Sequence, residues 1–281
     1  MVHQVLPVQV AGEEKEGTLY TYLWDSSEEL ALGKKRPLIL MCPGGGYQRT
    51  SDREAEPMAL TFMAMGYHVA VLRYSCGEDV HYPTALLQLA RAVAMVREHA
   101  EQWGVQKDKI IVQGSSAGGH LAASLGVFWK KKQMLWKFFG AEAEDVKPNG
   151  LMLSYPVITA GEFAHRPSID WLLGENLANC ERMLEEQSLE KHVSEDVPVT
   201  FLWHTLTDTT VPAENSLLFL SALRKAHVPA EFHLYPEGGH GAALANRLTM
   251  APGGKGIAEG CESWIDLAKT WLYRYFPWDG E

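Results

Sequence analysis

Three side chains, Ser116, Asp208 and His240, have the types and the chain order that acyl transfer needs. A serine hydroxyl attacks a carbonyl only when a base takes its proton, and an imidazole base needs a carboxylate to fix its tautomer. Ser116 stands at the centre of Gly114-Ser115-Ser116-Ala117-Gly118. In a sharp strand-to-helix turn the central residue is strained and its side chain is thrust outward. Side chains two positions to either side would strike the flanking strand and helix, hence Gly-x-Ser-x-Gly. The pentapeptide alone arises by chance, and a Gly-rich turn of a doubly wound fold is the alternative. Its setting favours the nucleophile: "IIVQ" reads as a buried strand before it and "HLAASLGVF" as a helix after it. That helix would also offer N-terminal N–H groups to a developing anion.

Asp208 follows the apolar run "VTFLWH", in "TLTDTTVP", and His240 follows Ala230 to Tyr235, in "PEGGHG". Each is thereby expected in a loop at a strand's carboxyl end, on the same edge of a sheet as Ser116. The long interval from Ser116 to Asp208 leaves room for an extra segment, and the shorter one to His240 fits one helix and one strand. His120 is the rival base, but it precedes the acid and lies one helical turn beyond the serine. His204 ends a strand and reads as a loop hydrogen-bonder. Asp170 and Asp196 fall in the extra segment, and Asp145 in a polar loop. The tetrahedral intermediate needs an anion site as well. Gly44-Gly45-Gly46 directly follows the strand ending at Cys42 and gives the backbone freedom to turn N–H groups inward, with the Ala117 N–H completing the hole. A flexible turn is the competing reading of that run.

The elements that must hold these groups follow from periodicity. Val5 to Val10 and Thr18 to Trp24 alternate like a hairpin. Pro37 to Cys42, His68 to Tyr74, Ile110 to Gln113, Leu151 to Tyr155, Val199 to His204 and Ala230 to Tyr235 read as further strands. Several of them are continuous apolar runs, as strands buried on both faces are. Between them, Met58 to Met65, Pro83 to His99, the stretch from Ser116, Pro212 to about Ala226 and Cys261 to Tyr275 read as helices. Repeated alternation predicts an α/β fold: one domain over 1–281 with a mostly parallel, eight-stranded sheet covered by helices on both faces. Residues 157–196 break the alternation and are expected to form a lid or cap over the ligand edge, with an ordinary surface excursion as the alternative. Tyr47, Phe163 and Trp171 are candidate pocket-lining residues, or simple packing.

Composition narrows the partners. The net charge of −10 argues against nucleic acid. The one basic run, Lys130-Lys131-Lys132, is expected to solvate and charge-complement a helix end. Four scattered cysteines without a Cys-x-x-Cys pair are expected as reduced thiols. No apolar run is long enough for a signal peptide or a bilayer span, so no membrane partner and a cytoplasmic location are expected.

With these stretches in view, the chain resembles the α/β-hydrolases of the esterase/lipase group that carry a His-Gly-Gly-Gly-type loop. It is most similar to bacterial acetyl-xylan-esterase-like and feruloyl-esterase-like members. The resemblance rests on "CPGGGY", "TSDREAEP", "VLRYS", "GSSAGGHLAA" and "HTLTDTTVPAENSLLFLSALRKAHVPAEFHLYPEGGHG". It implies Ser116 as nucleophile, Asp208 as acid and His240 as base, with Gly45, Gly46 and Ala117 as oxyanion donors. Pro43 stands where that loop often has histidine, which puts loop geometry in question. The resemblance also implies a serine carboxylester hydrolase without cofactor or metal, acting on a small ester or an acetylated oligosaccharide. Alternatives are a serine peptidase, a feruloyl or aryl esterase, and an inactive ligand-binding homologue. The oligomeric state stays open, a homodimer included.

Overall fold

The run "RPLILMC" forms the third strand and shows how the sheet is buried. In the computed structural model, which describes residues 1–25, 27, 29, 35–137 and 140–278, all seven of its residues are buried. Leu38, Leu40 and Cys42 face one apolar layer while Ile39 and Met41 face the other. The same alternation recurs at Ala70 and Leu72 against Val69 and Val71, and at Leu151 and Leu153 against Met152. A side-chain period of two places a continuous apolar run on both faces at once, so such strands belong in the middle of three layers.

The strands are β1 (Val2–Val8), β2 (Gly17–Leu23), β3 (Arg36–Cys42), β4 (His68–Arg73), β5 (Val105–Ser115), β6 (Gly150–Ser154), β7 (Val199–Thr205) and β8 (Ala230–Tyr235). Their spatial order is β1-β2-β4-β3-β5-β6-β7-β8. β1 and β2 pair antiparallel, β2 meets β4 antiparallel, and every later pairing is parallel. β3 therefore flanks β5, and the ends of β3, β5, β6, β7 and β8 all open on one edge.

The helices in chain order are α1 (Glu56–Ala64), α2 (Thr84–Glu98), α3 (Ala100–Trp103), α4 (Ala117–Phe128), α5 (Met134–Lys137), α6 (Ala143–Val146), α7 (Arg166–Leu173), α8 (Glu181–Glu186), α9 (Glu214–Lys225) and α10 (Trp264–Tyr275). Leu86, Leu89, Ala90 and Val93 of α2 and Leu121, Ala122 and Leu125 of α4 fill one layer. Met58 and Phe62 of α1 and Trp264, Trp271 and Leu272 of α10 fill the opposite one. None of the helices among the described residues is long and apolar enough to cross a membrane. Cys42, Cys76, Cys180 and Cys261 are free thiols.

Expected and observed elements agree in type and differ at boundaries. The first strand begins at Val2, because its register pairs Val2 with Leu23. The last helix is preceded by a single 3-10 turn, Cys261–Ser263. Asp145 lies in α6, where it makes a capping box with Glu142, and not in an irregular loop. Lys130 to Lys132 also differ from expectation. Each reaches the 186–196 stretch: Lys130 pairs with Asp196, Lys131 bonds the His192 carbonyl, and Lys132 pairs with Glu186 beside Tyr82. Acidic side chains and carbonyls across from the run give the cations a nearer partner than the end of α4 does.

The 157–196 stretch holds α7, α8 and a 3-10 turn, Leu189–Lys191. It has a small core of its own, in which Val157, Ala160, Ile169, Leu173 and Met183 pack with Val211. Leu172 and Leu189 join the large layer instead, and the Tyr82 N–H donates to the Leu172 carbonyl at 2.7 Å. The stretch is thereby fastened to the sheet's helical layer at several points.

Candidate active site

Ser116 occupies a backbone conformation that L-residues rarely adopt, φ 55° and ψ −120°, between the last residue of β5 and the first of α4. The strain is sustained because neighbouring backbones leave no alternative. A Cβ on Gly114 would lie 2.1 Å from the Gly118 carbonyl oxygen, and one on Gly118 would lie 2.0 Å from the Cys42 oxygen. The two glycines of the pattern are thus demanded by close approach of strand and helix. The turn is further fixed where the Ser116 N–H donates to the Ser154 carbonyl of β6 and the Ser116 carbonyl accepts from Val157.

From this turn the Ser116 hydroxyl donates to His240 Nε2 at 2.7 Å, and His240 Nδ1–H donates to Asp208 Oδ2 at 2.7 Å. The other carboxylate oxygen accepts the N–H groups of Thr210 at 2.9 Å and Val211 at 3.0 Å. His204, fully buried, brings its Nε2 to 3.4 Å from Oδ2 while donating to the Val211 carbonyl. Burial alone would raise the Asp208 pKa. Hydrogen bonds from His204 and His240, the electrostatic influence of His240 and the Val211 N–H outweigh it and hold the carboxyl well below the usual carboxylate range. An anion fixed on four sides can keep one imidazole tautomer and stabilise its protonated form.

The glycine run lies against the serine. Gly45 and Gly46 have φ of +133° and +67°, and a Cβ on Gly45 would stand 2.1 Å from the Arg49 carbonyl oxygen. Among the described residues the N–H groups of Gly45, Gly46 and Ala117 find no protein acceptor. Ala117 is the first residue of α4, whose opening N–H groups have no intrahelical partner. The expected oxyanion donors are therefore unspent.

Tyr47, also at positive φ (60°), ends this loop. Its side chain is buried, with its hydroxyl on His120 Nδ1 at 3.0 Å and its ring against Tyr74. Packing accounts for it. His120 itself turns away from the serine, holding Tyr47 on one side and the Gln187 carbonyl on the other. Burial pushes its pKa down to about 4. Asp170 pairs with Arg166 and Asp196 with Lys130, and neither takes the place of Asp208 at His240.

Two residues of the site lay outside the sequence reading. Glu54 is buried, and its Oε2 accepts the Gly44 N–H at 2.8 Å while Oε1 accepts the Tyr155 hydroxyl at 2.6 Å. Tyr155 follows β6, and its ring meets His240 edge-on at 5.2 Å. Glu54 falls within "TSDREAEP" beside the glycine loop, which was the available signal. His165, from the 157–196 stretch, bonds the Ser168 hydroxyl at 2.8 Å, and burial, then His240, lower its pKa.

Comparison with known proteins places the chain in a family. A family model described as BD-FAE matches residues 29–223. Endo-1,4-beta-xylanase B of Butyrivibrio fibrisolvens is 37% identical over 217 residues, which is 75% of this chain but 33% of that protein. The chain thus spans only a third of the length of that relative. An acetyl ester-xyloside bifunctional hydrolase from Caldicellulosiruptor lactoaceticus superposes with a TM-score of 0.81 at 32% identity, over 96% of both chains. The carboxylesterase Cest-2923 of Lactobacillus plantarum WCFS1 gives 0.86 at 27% identity over 100% of both. By the family match over 29–223 and the superposition on solved hydrolases, the chain belongs to the BD-FAE family and is an esterase-like α/β-hydrolase.

Proposed function

We propose that the protein is a serine carboxylester hydrolase that removes short acyl groups, above all acetyl, from sugars or other polar alcohols. The observation that carries this reading is the unbroken relay from Ser116 through His240 to Asp208, set beside the unspent N–H groups of Gly45, Gly46 and Ala117. Ser116 Oγ attacks the ester carbonyl as His240 Nε2 takes its proton. The carbonyl oxygen becomes an oxyanion held by the three N–H groups. Collapse expels the alcohol, which receives the proton back from His240. Water, activated by the same imidazole, then releases the acid and restores the serine. Asp208 holds Nδ1–H throughout.

Short acyl chains and polar alcohols suit the surroundings. Glu175, Glu181, Glu185 and Glu195 line the exterior of the 157–196 stretch, while Leu172 and Leu173 are buried. Such a stretch offers little apolar area to a lipid surface. We read it as a lid over the ligand edge. The bifunctional relative's name includes a xyloside, which makes glycoside hydrolysis a second reading. That chemistry uses two carboxyl groups facing the substrate. Here Asp208 is engaged by histidines and backbone, and Glu54 is sealed between Gly44 and Tyr155, which favours the ester.

The test is a comparison of wild type and Ser116→Ala on p-nitrophenyl acetate, acetylated xylo-oligosaccharides and p-nitrophenyl xyloside. The alanine variant is expected to keep its fold and lose ester turnover by several orders of magnitude, about to the level that binding and the oxyanion site sustain. An organophosphonate should label Ser116 and not the fully buried Ser115. Normal ester turnover in the variant, or labelling elsewhere, refutes the proposal.

A further inference from the structure

We propose that Glu54 and Tyr155 form one positioning unit that aligns the oxyanion loop with the His240 loop. The inference rests on the serine-hydrolase reading above. The two loops come from opposite sides of the nucleophile: one leaves β3, the other leaves β8. Their relative placement fixes whether N–H donors and base converge on the same carbonyl.

Glu54 is where that placement is set. Its two oxygens accept from Gly44 and from Tyr155, and the Tyr155 oxygen in turn accepts the Ala243 N–H at 2.9 Å. The path therefore runs from the glycine loop to the stretch three residues beyond His240. Gly44 has no slack. A Cβ there would lie 2.7 Å from Glu54 Oε2, 2.7 Å from the Ser115 oxygen and 2.9 Å from Ser116 Cβ. A shift in Gly44 thus moves the loop relative to the nucleophile itself. At the other end, the Tyr155 ring braces His240, and both Tyr155 and Ala243 sit at positive φ, 37° and 54°. Trp264 Nε1 donates to the Ala243 carbonyl at 2.9 Å and so holds the same residue through its other flanking peptide.

Energetics support a role beyond packing. Among the described residues no basic side chain pairs with Glu54. Its neighbour Arg53 is turned to the Thr249 carbonyl. A buried carboxylate without a counter-ion is a costly way to fill space. A carboxylate supplies an acceptor to each of two donors from different loops, Gly44 N–H and the Tyr155 hydroxyl. An amide would keep the Gly44 bond through its oxygen, but its NH2 would have to donate to the Tyr155 oxygen, reversing that bond and depriving the hydroxyl proton of its acceptor.

The experiment measures Tyr155→Phe, Glu54→Gln and the double variant for kcat, KM, thermal midpoint and rate of inactivation by a phosphonate. Tyr155→Phe keeps the ring on His240 and removes only the hydroxyl. It is expected to fold, to lose about tenfold to a hundredfold in kcat with KM changed less than about threefold, and to slow inactivation in proportion. The double variant should be scarcely worse than either single, because the two side chains act as a unit. A structural role alone would lower the thermal midpoint and leave kcat in place. The inference is overturned if folded Tyr155→Phe keeps kcat within about twofold of wild type, or if the losses multiply in the double variant. Ser116→Ala separates the two levels: an active alanine variant refutes the serine reading itself, whereas an inactive one beside a normal Tyr155→Phe refutes only the positioning unit.

Discussion

Replacing Asp208 by asparagine should leave the fold in place and trap His240 in the wrong tautomer. The geometry dictates which way the amide must lie. Oδ1 receives two backbone N–H groups, from Thr210 and Val211, so the amide oxygen takes that place and the amide nitrogen takes Oδ2. The reverse orientation would set the amide NH2 against both donors, at about 1–3 kcal/mol for each polar group left unpaired. With NH2 at 2.7 Å from His240 Nδ1, that nitrogen is pressed to accept, and the ring proton moves to Nε2. Nε2–H then faces Ser116 and can take no proton from it. Restoring the productive tautomer costs about 1–3 kcal/mol for one buried mismatch. Loss of the anion that stabilises the imidazolium adds a comparable or larger amount. Together these give a fall of about three to four orders of magnitude in kcat, or ~4–5.5 kcal/mol. The assay is kcat on p-nitrophenyl acetate, with near-ultraviolet circular dichroism to verify the fold. Activity within about tenfold of wild type would mean that another acid orients the imidazole, and the assignment of Asp208 would fall.

Acid should weaken the protein before its carboxylates titrate. Burial lowers the pKa of His68 and of His120 to about 4, so between roughly pH 6.5 and 4 the unfolded chain binds protons that the native state refuses, and stability falls as pH falls. From pH 7 to 5 each contributes about 2 kcal/mol of loss, read from urea unfolding. His120→Asn should flatten that slope, and an unchanged slope counts against the argument. Asp208, whose carboxyl is held low, keeps its contribution in that window and loses it only below about pH 4. Gly118→Ala puts a Cβ 2.0 Å from the Cys42 oxygen, and should cost about 3 kcal/mol or more together with activity; a stable, active variant removes the close-approach explanation. Acetate esters should exceed octanoate esters in kcat/KM by about tenfold or more, since the 157–196 exterior is acidic and its leucines are largely inward. A preference for octanoate discards the polar-alcohol substrate and points to a lipid or aryl ester.

The sequence alone determined those features that local sterics and periodicity control. Each of the eight strands and the principal helices was legible because apolar spacing is set by the burial of one segment at a time. The turn at Ser116 was legible because Gly114 and Gly118 are required within a few residues of it. That Asp208 and His240 come to lie beside Ser116 was legible from their places after strands, since parallel strands bring their carboxyl ends to one edge. Tertiary structure alone decided which groups meet across the chain. Nothing local to Glu54 or Tyr155 announces a contact 101 residues apart, or that the carboxylate ties Gly44 to Ala243. The same holds for Lys130 to Lys132, whose charges choose partners on the 186–196 stretch only once packing brings it near. Tyr47 shows the limit most plainly: adjacency to the glycine loop placed its backbone at the site, but the direction of its side chain, down onto His120, depended on the space left by α4. Periodicity reports which face of an element is buried. The partner found there depends on the relative placement of segments far apart in the chain, which only the folded core fixes.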